Sequence, residues 1–279
     1  MEQILVIDIG NSNIVVGVMA ESQVLDSRRI ATVLGKGEAD TLASVETVLL
    51  EFQTRYLQFE GGIISSVVPE LTPAVREMAL QVTGVAMMTM GEDKLNLGME
   101  ICVEHPERLG HDRIADAIGA MSQFPCPLVV IDMGTATTVN VVDREGRFVG
   151  GMIIPGVQTS FDALCSRASQ LSEVPLRVPE HLIGKNTAEC MQSGIIYGSA
   201  AMIDGLVDRV VAELKSDITI VTTGGLAPLV SPHCRHKVVY DEFLLFKGLY
   251  CIYIDNKVVC PESRRACELQ LNLSGLENK

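Results

Sequence analysis

The sequence predicts an α/β protein built from two copies of one lobe, on three observations. Residues 4–18 and 128–142 share a pattern: an apolar run, an aspartate, one residue, a glycine, a small polar turn and an apolar return. Residues 62–69 and 218–225 echo one another in the same order, each an apolar strand ending in small residues ahead of a helix. Elsewhere apolar residues recur at helical spacing, most clearly over 40–59, 114–121 and 187–214. Two echoes in the same order are seldom accidental. The expected organisation is one lobe over 1–115, a second over 116–256 and a polar tail over 257–279, with both Asp-x-Gly turns facing a shared cleft.

The first copy opens with Ile4-Leu-Val-Ile7, the run expected of a strand buried on both faces. Asp8 interrupts it, Gly10 turns the chain and Ile14 to Val18 return. Such a turn suits a phosphate with its metal ion. Gly10 lets backbone N–H groups approach phosphate oxygens, Asn11 and Ser12 add hydrogen bonds, and Asp8 can hold hydrated Mg²⁺. Taken alone, an ordinary hairpin with a polar turn is the better account of this stretch. The second copy changes that: Leu128 to Asn140 repeats the design with Asp132, Gly134 and Thr135. A further glycine turn is expected after each copy, Asp143-Arg-Glu-Gly146 being the clearer.

Asp40 to Phe59 reads as a helix through Leu42, Val45, Val48, Leu49 and Phe52. A strand over Ile63–Val68 ends at Pro69, and a helix over Thr72–Leu80 follows with Thr72 as N-cap and Pro73 at its first position. Asp112 and Arg113 fall in the first turn of a helix whose stripe is Ile114, Ala117, Ile118 and Met121. The macrodipole favours an aspartate there and opposes an arginine. A solvated charge pair is one account. The other is a base presented beside an anion-binding cation.

Gly150 to Gly156 reads as a strand into a tight loop. Asn186 or Thr187 caps a helix reaching Leu214, with Ile195, Met202, Ile203, Leu206 and Val210 on its apolar face. Gly194, Gly198 and Gly205 are costly inside a helix, which implies close packing there, either within the chain or with a partner subunit. Gly224-Gly225, after a strand, suit a position under an adenine or ribose. His233-Cys-Arg-His236 lacks a second ligand cluster and is not read as a metal site.

Composition narrows the function classes. A net charge of −13, from 22 basic and 35 acidic residues, opposes nucleic acid as a partner. No apolar run approaches the length of a membrane span, and no signal peptide is visible. Eight cysteines without a C-x-x-C pair are expected to be reduced, mostly buried thiols of a cytoplasmic protein. No G-x-x-x-x-G-K-[ST] loop is present.

Two facing Asp-x-Gly turns on duplicated lobes resemble the actin, Hsp70 and sugar-kinase superfamily, each lobe a ribonuclease H-like unit. Within it the chain resembles the type III pantothenate kinases over residues 4–256. The motifs are Asp8-Ile-Gly-Asn-Ser-Asn13, Ser65-Ser-Val-Val-Pro69, Gly110-His-Asp-Arg113, Asp132-Met-Gly-Thr-Ala-Thr-Thr138, Gly150 to Gly156, Asn186-Thr187 with Ser193-Gly194 and Tyr197-Gly198, and Thr223-Gly-Gly225. The resemblance implies phosphorylation of pantothenate by ATP, the first step of coenzyme A synthesis, in a cytoplasmic homodimer needing K⁺ or NH₄⁺ and a divalent ion such as Mg²⁺.

By the same resemblance Asp8, Ile9, Gly10, Asn11, Ser12, Asn13, Ile14 and Val15 cradle the ATP phosphates. Thr135 contacts ATP and Asp132 holds the monovalent cation. Gly110, His111, Asp112 and Arg113 bind pantothenate, with Asp112 the general base and Arg113 the partner of the carboxylate; Thr187 also touches pantothenate. The chain departs from the family pattern in three places. His111 stands for the usual Ala, Val103 where a substrate-contacting Tyr is common, and an acidic pair is reduced to Glu38 and Asp40. A non-catalytic regulator on the same scaffold, or a kinase for another small hydroxylated acceptor, are the alternatives.

Overall fold

The apolar runs at 4–9 and 128–133 become the central strands of two five-stranded sheets in a computed structural model, which describes residues 2–167 and 174–257. The first sheet contains β1 (Ile4–Ile9), β2 (Asn13–Ala20), β3 (Gln23–Ala31), β4 (Gly61–Ser66) and β5 (Met87–Thr89). Helices α1 (Glu38–Tyr56) and α2 (Thr72–Thr83) flank β4 in the chain, and α3 (His111–Met121) follows β5. The second sheet contains β6 (Leu128–Met133), β7 (Ala136–Val142), β8 (Phe148–Pro155), β9 (Thr219–Thr223) and β10 (Val239–Tyr240). Its helices are α4 (Val157–Arg167), α5 (Thr187–Leu214) and α6 (Ala227–Val230), and α7 (Leu244–Asn256) ends the described chain.

The strand orders are β3-β2-β1-β4-β5 and β8-β7-β6-β9-β10, an antiparallel meander continued by two parallel strands in each case. Both sequence echoes therefore fall on equivalent strands: β1 and β2 match β6 and β7, and β4 matches β9. The duplication is one of topology as well as of motif.

Alternation decides what each strand offers to either side. Leu5, Ile7, Ile9 and Ile64 bury against Val45, Leu49 and Phe52 of α1 and Val75 and Ala79 of α2. The opposite face is covered by α7, whose Phe246 and Tyr253 rings occupy the space that a side chain at Gly17 or Gly61 would need. Gly248 brings α7 onto α3, against the Ala115 carbonyl. Asn256 then ties the end of α7 to the loop after β5, accepting the Asn96 N–H at 2.7 Å and donating to the Asn96 carbonyl at 2.8 Å. In the second sheet Val129, Ile131, Met133, Val139 and Val141 pack against Ile196, Ala200, Ile203, Val207 and Val210 of α5.

These contacts produce two compact units that interleave in sequence. Among the described residues, one holds the chain to Gly98, Arg108–Ser122 and the stretch from Leu245; the other holds Met99–Glu107 and Gln123–Leu244. The contiguous division expected at 115/116 gives way, because α3 stays whole and α7 returns to the first sheet. The expected tail lies outside the described residues except for Lys257.

Several local expectations need correction. The N-cap of α2 is Leu71, without a side-chain cap, and Thr72 is the first helical residue, with its hydroxyl bonded to the Val68 carbonyl at 3.0 Å. The β2–β3 turn contains no glycine: Glu21 and Ser22 take positive φ of 50° and 64°, the turn that matches hairpin twist. Its counterpart does close at Gly146, with φ of 79°. The apolar stripe of α5 is turned relative to expectation, leaving Ile195, Met202 and Leu206 only half-buried. The six described cysteines are free, and none is fully buried. All six lie in loops or helices, while the buried strand positions are filled largely by Val, Ile, Leu and Met.

Candidate active site

Asp8 sits between core residues Ile7 and Ile9, so it projects to the face of the first sheet that α7 covers. The turn beyond it is closed by the Gly10 N–H on the Asn13 carbonyl at 2.9 Å. Thr32 brackets the turn, its hydroxyl on the Gly10 carbonyl at 2.7 Å and its N–H on the Ser12 carbonyl at 3.0 Å. Asn11 and Ser12 are exposed at the tip, whereas Ile9 and Ile14 are core side chains. Any contact from those two to a phosphate would be through backbone.

The N-terminus of α3 belongs to the same side of this sheet, since α3 packs on α7 through Gly248. Gly110 is its N-cap, and the next three residues are half-buried. Asp112 folds back over Gly110, where a Cβ would strike Oδ1, and that oxygen accepts the Arg113 N–H at 2.8 Å. The glycine is thus needed for the carboxylate's position. Burial pushes the Arg113 guanidinium below its usual range, with the Asp112 charge opposing. The His111 ring lies on Gly91, which has a φ of +86°; a Cβ there would be 2.5 Å from Nε2.

Asp132 is placed in the second unit as Asp8 is in the first, between core residues Ile131 and Met133. Its turn is one residue shorter. Paired Ile9 and Ile14 enclose residues 10–13, whereas paired Met133 and Thr137 enclose 134–136. The Gly134 N–H closes on the Ala136 carbonyl at 3.0 Å. Thr135 is exposed, and its carbonyl accepts the Thr159 hydroxyl at 2.9 Å. Gly156 packs beneath this turn, where a Cβ would be 2.6 Å from the Gly134 carbonyl oxygen.

The Asp132 carboxylate reaches towards Gly134 and Gly224. A Cβ on Gly224 would overlap Oδ1 and lie 2.7 Å from the Met133 backbone, and its φ is +89°. Gly224 is therefore a residue that makes room for Asp132, a role the sequence did not disclose. Asp8, Gly110, His111, Asp112 and Arg113 share one unit; Asp132, Thr135 and Thr187 share the other. Thr187 is exposed at the first position of α5, after Asn186, whose Oδ1 accepts the Glu189 N–H at 2.9 Å.

On α5, Gly194 and Gly198 are exposed, and apart from the helix's own backbone and their chain neighbours no described atom lies within 4 Å of where their Cβ would be. Packing within the described chain does not account for them. The 233–236 segment serves other contacts: His233 meets Tyr197 edge-on at 4.7 Å, and His236 reaches Asp208 at 2.8 Å. The Arg235 N–H bonds to buried Asp204 at 2.9 Å. Among the described residues no helix is long and apolar enough to cross a membrane.

The family model described as type III pantothenate kinase matches residues 4–209. A curated type III pantothenate kinase of Exiguobacterium is 37% identical over 91% of this chain and 99% of its own length. Another, of Acidothermus cellulolyticus, is 38% identical over 91% of this chain and 98% of its own. Among solved structures, MreB5 of Spiroplasma citri bound to ADP aligns with a TM-score of 0.52 at 13% identity, covering 92% of this chain and 98% of that one. A ROK family glucokinase of Streptomyces griseus aligns with a TM-score of 0.51 at 13% identity, covering 91% and 99%. These structural likenesses carry the fold alone. The fold so matched is the duplicated α/β one described above.

Proposed function

Because this chain belongs to the type III pantothenate kinases, phosphorylating pantothenate with ATP for coenzyme A synthesis, we propose residue roles for that reaction. The observation that carries them is the placing of Asp8 and of the Gly110–Arg113 helix start on one side of the first sheet.

Asp112 accepts the proton of the pantothenate hydroxyl as that oxygen attacks the γ-phosphate. Phosphoryl transfer has a loose transition state, so positioning and charge neutralisation supply much of the rate and the base supplies part. Arg113, half-buried beside Asp112, pairs with the substrate carboxylate, which answers the question of an arginine at a helix N-terminus. Gly110 and His111 shape the same start, and Thr187 adds a contact. The turn from Gly10 to Asn13, with Asn11 and Ser12 exposed at its tip, takes the phosphates, and Thr135 contacts ATP.

Donor chemistry fits two cations. Asp8 is a carboxylate beside a phosphate turn, the oxygen ligand a hydrated divalent ion prefers. At Asp132, Gly134 and Gly224 leave open the space beside the carboxylate that a Cβ at 224 would fill. Bound there, Mg²⁺ and K⁺ would neutralise phosphate charge and offset the Asp132 carboxylate. The chain itself, with a net charge of −13, gives an anionic nucleotide no general attraction. We further propose a cytoplasmic homodimer packed along the open glycine face of α5.

A coupled assay with ATP, Mg²⁺ and pantothenate tests the reading. ADP release should require pantothenate and fall when K⁺ is replaced by Na⁺. Release with another small hydroxylated acceptor but not pantothenate, or none at all, would contradict it.

A further inference from the structure

Two adjacent serines end β4, and the structure uses them differently. Ser66 is fully engaged: it accepts the Val68 N–H at 3.0 Å and the Thr72 hydroxyl at 2.7 Å, and donates to the Val68 carbonyl at 3.2 Å. Ser65 faces the other way, is 0% exposed, and its hydroxyl has no hydrogen-bond partner and no contact with solvent space. Buried polar atoms are nearly always bonded, and an alanine would fill this position without leaving an unsatisfied donor.

Its place in the sheet supplies a reason for the hydroxyl. Ser65 lies directly opposite Asp8 in the parallel β1–β4 pair, on the face to which Asp8 projects. The duplicated fold repeats the arrangement, since Asp132 lies opposite another hydroxyl residue, Thr223, in the β6–β9 pair. Both phosphate-turn aspartates therefore have a Ser or Thr as their parallel neighbour.

We infer that Ser65 is a positioning residue for Asp8, a donor held in reserve until the carboxylate takes its ligand-bearing orientation. The Ser65 hydroxyl then donates to one Asp8 oxygen and fixes the other towards the divalent ion. This rests on the reading of Asp8 as the carboxylate that holds Mg²⁺. Partners that hydrogen-bond a ligating carboxylate commonly contribute about 10–100-fold to metal affinity or activity.

The test uses the full chain with Ser65→Ala, Ser65→Cys and Asp8→Asn. Thermal unfolding is followed without ligand and with a non-hydrolysable ATP analogue under titrated Mg²⁺, and the Mg²⁺ dependence of turnover is measured in parallel. Without ligand, Ser65→Ala should unfold at the same temperature as the parent or higher. The Mg²⁺ needed for half of the nucleotide-induced shift should nevertheless rise by about 10-fold or more. Ser65→Cys, close in volume and a weak donor, should fall between the two, and it carries the test if the alanine variant does not fold. An unchanged Mg²⁺ dependence would overturn the inference, as would a lowered unligated Tm with no change in that dependence. If Asp8→Asn raises the Mg²⁺ requirement and the Ser65 variants do not, only this inference fails. If Asp8→Asn leaves the requirement unchanged, the reading of Asp8 fails with it.

Discussion

Gly224 and Asp132 lie so close that a methyl group on the glycine would overlap a carboxylate oxygen. The φ of +89° at Gly224 adds backbone strain for any other residue, and the Met133 backbone 2.7 Å from the same Cβ position cannot move as a side-chain tip can. Gly224→Ala should therefore lower stability by about 1–3 kcal/mol. It should also weaken K⁺ activation by displacing Asp132. Thermal melts and K⁺ titrations of turnover check both, and an unaltered variant would remove the packing account.

Asp132→Ala separates the charge from the packing. It keeps Gly224 and the backbone around it unchanged and removes the proposed cation ligand. Turnover should become indifferent to exchange of K⁺ for Na⁺. Full K⁺ dependence in this variant would place the cation elsewhere.

Gly198 is exposed on α5 with no described atom beyond its own stretch of helix near its Cβ position. A larger residue there meets nothing in the described chain and gains up to about 1 kcal/mol of helix propensity over glycine. Light scattering should give about twice the chain mass of 30.2 kDa for the parent protein. Gly198→Glu should give single-chain particles that remain folded by circular dichroism. A parent that already scatters as one chain would refute the dimer.

Asp204, 2% exposed, accepts N–H groups of Arg235 and His236. Burial alone would raise its carboxyl, but those backbone bonds and the Arg235 guanidinium hold it below the usual aspartate range. A lowered folded-state pKa stabilises above the unfolded value, and that stability is lost as pH falls through the folded one. Asp204→Asn should cost about 1–3 kcal/mol at pH 7. Its stability should also fall less steeply than the parent's below about pH 4. Denaturant melts at pH 7 and at acid pH measure both, and parallel acid limbs would contradict the assignment.

How much of this was legible beforehand depended on how local the cause was. The Asp8 and Asp132 turns, the α1 stripe from Leu42 to Phe52 and the Asn186 cap of α5 are set by neighbours in sequence, and each appears where the residues pointed. Gly224, Gly248 and Ser65 carry no local signal. Their meaning comes from Asp132, from the Ala115 carbonyl and from Asp8, which are 92, 133 and 57 positions away in the chain. The cap expected at Thr72 falls instead at Leu71, because a threonine before Pro73 suits either the cap or the first turn, and the Val68 carbonyl, presented by the preceding turn, draws its hydroxyl inward. The division of the chain was obscured by α7, which follows the second lobe in sequence but covers the first sheet.

The role of Asp112 is the central claim, and Asp112→Asn tests it most directly. The amide keeps the shape over Gly110 and removes the charge that accepts the proton. Steady-state kinetics should show kcat lower by at least ~10²-fold, with the KM for pantothenate changed only a few-fold. Arg113→Ala, measured alongside, should raise that KM more than it lowers kcat, because its contact is with the remote carboxylate. A kcat for Asp112→Asn within a few-fold of the parent would contradict the account and move the search for the base to Asp8.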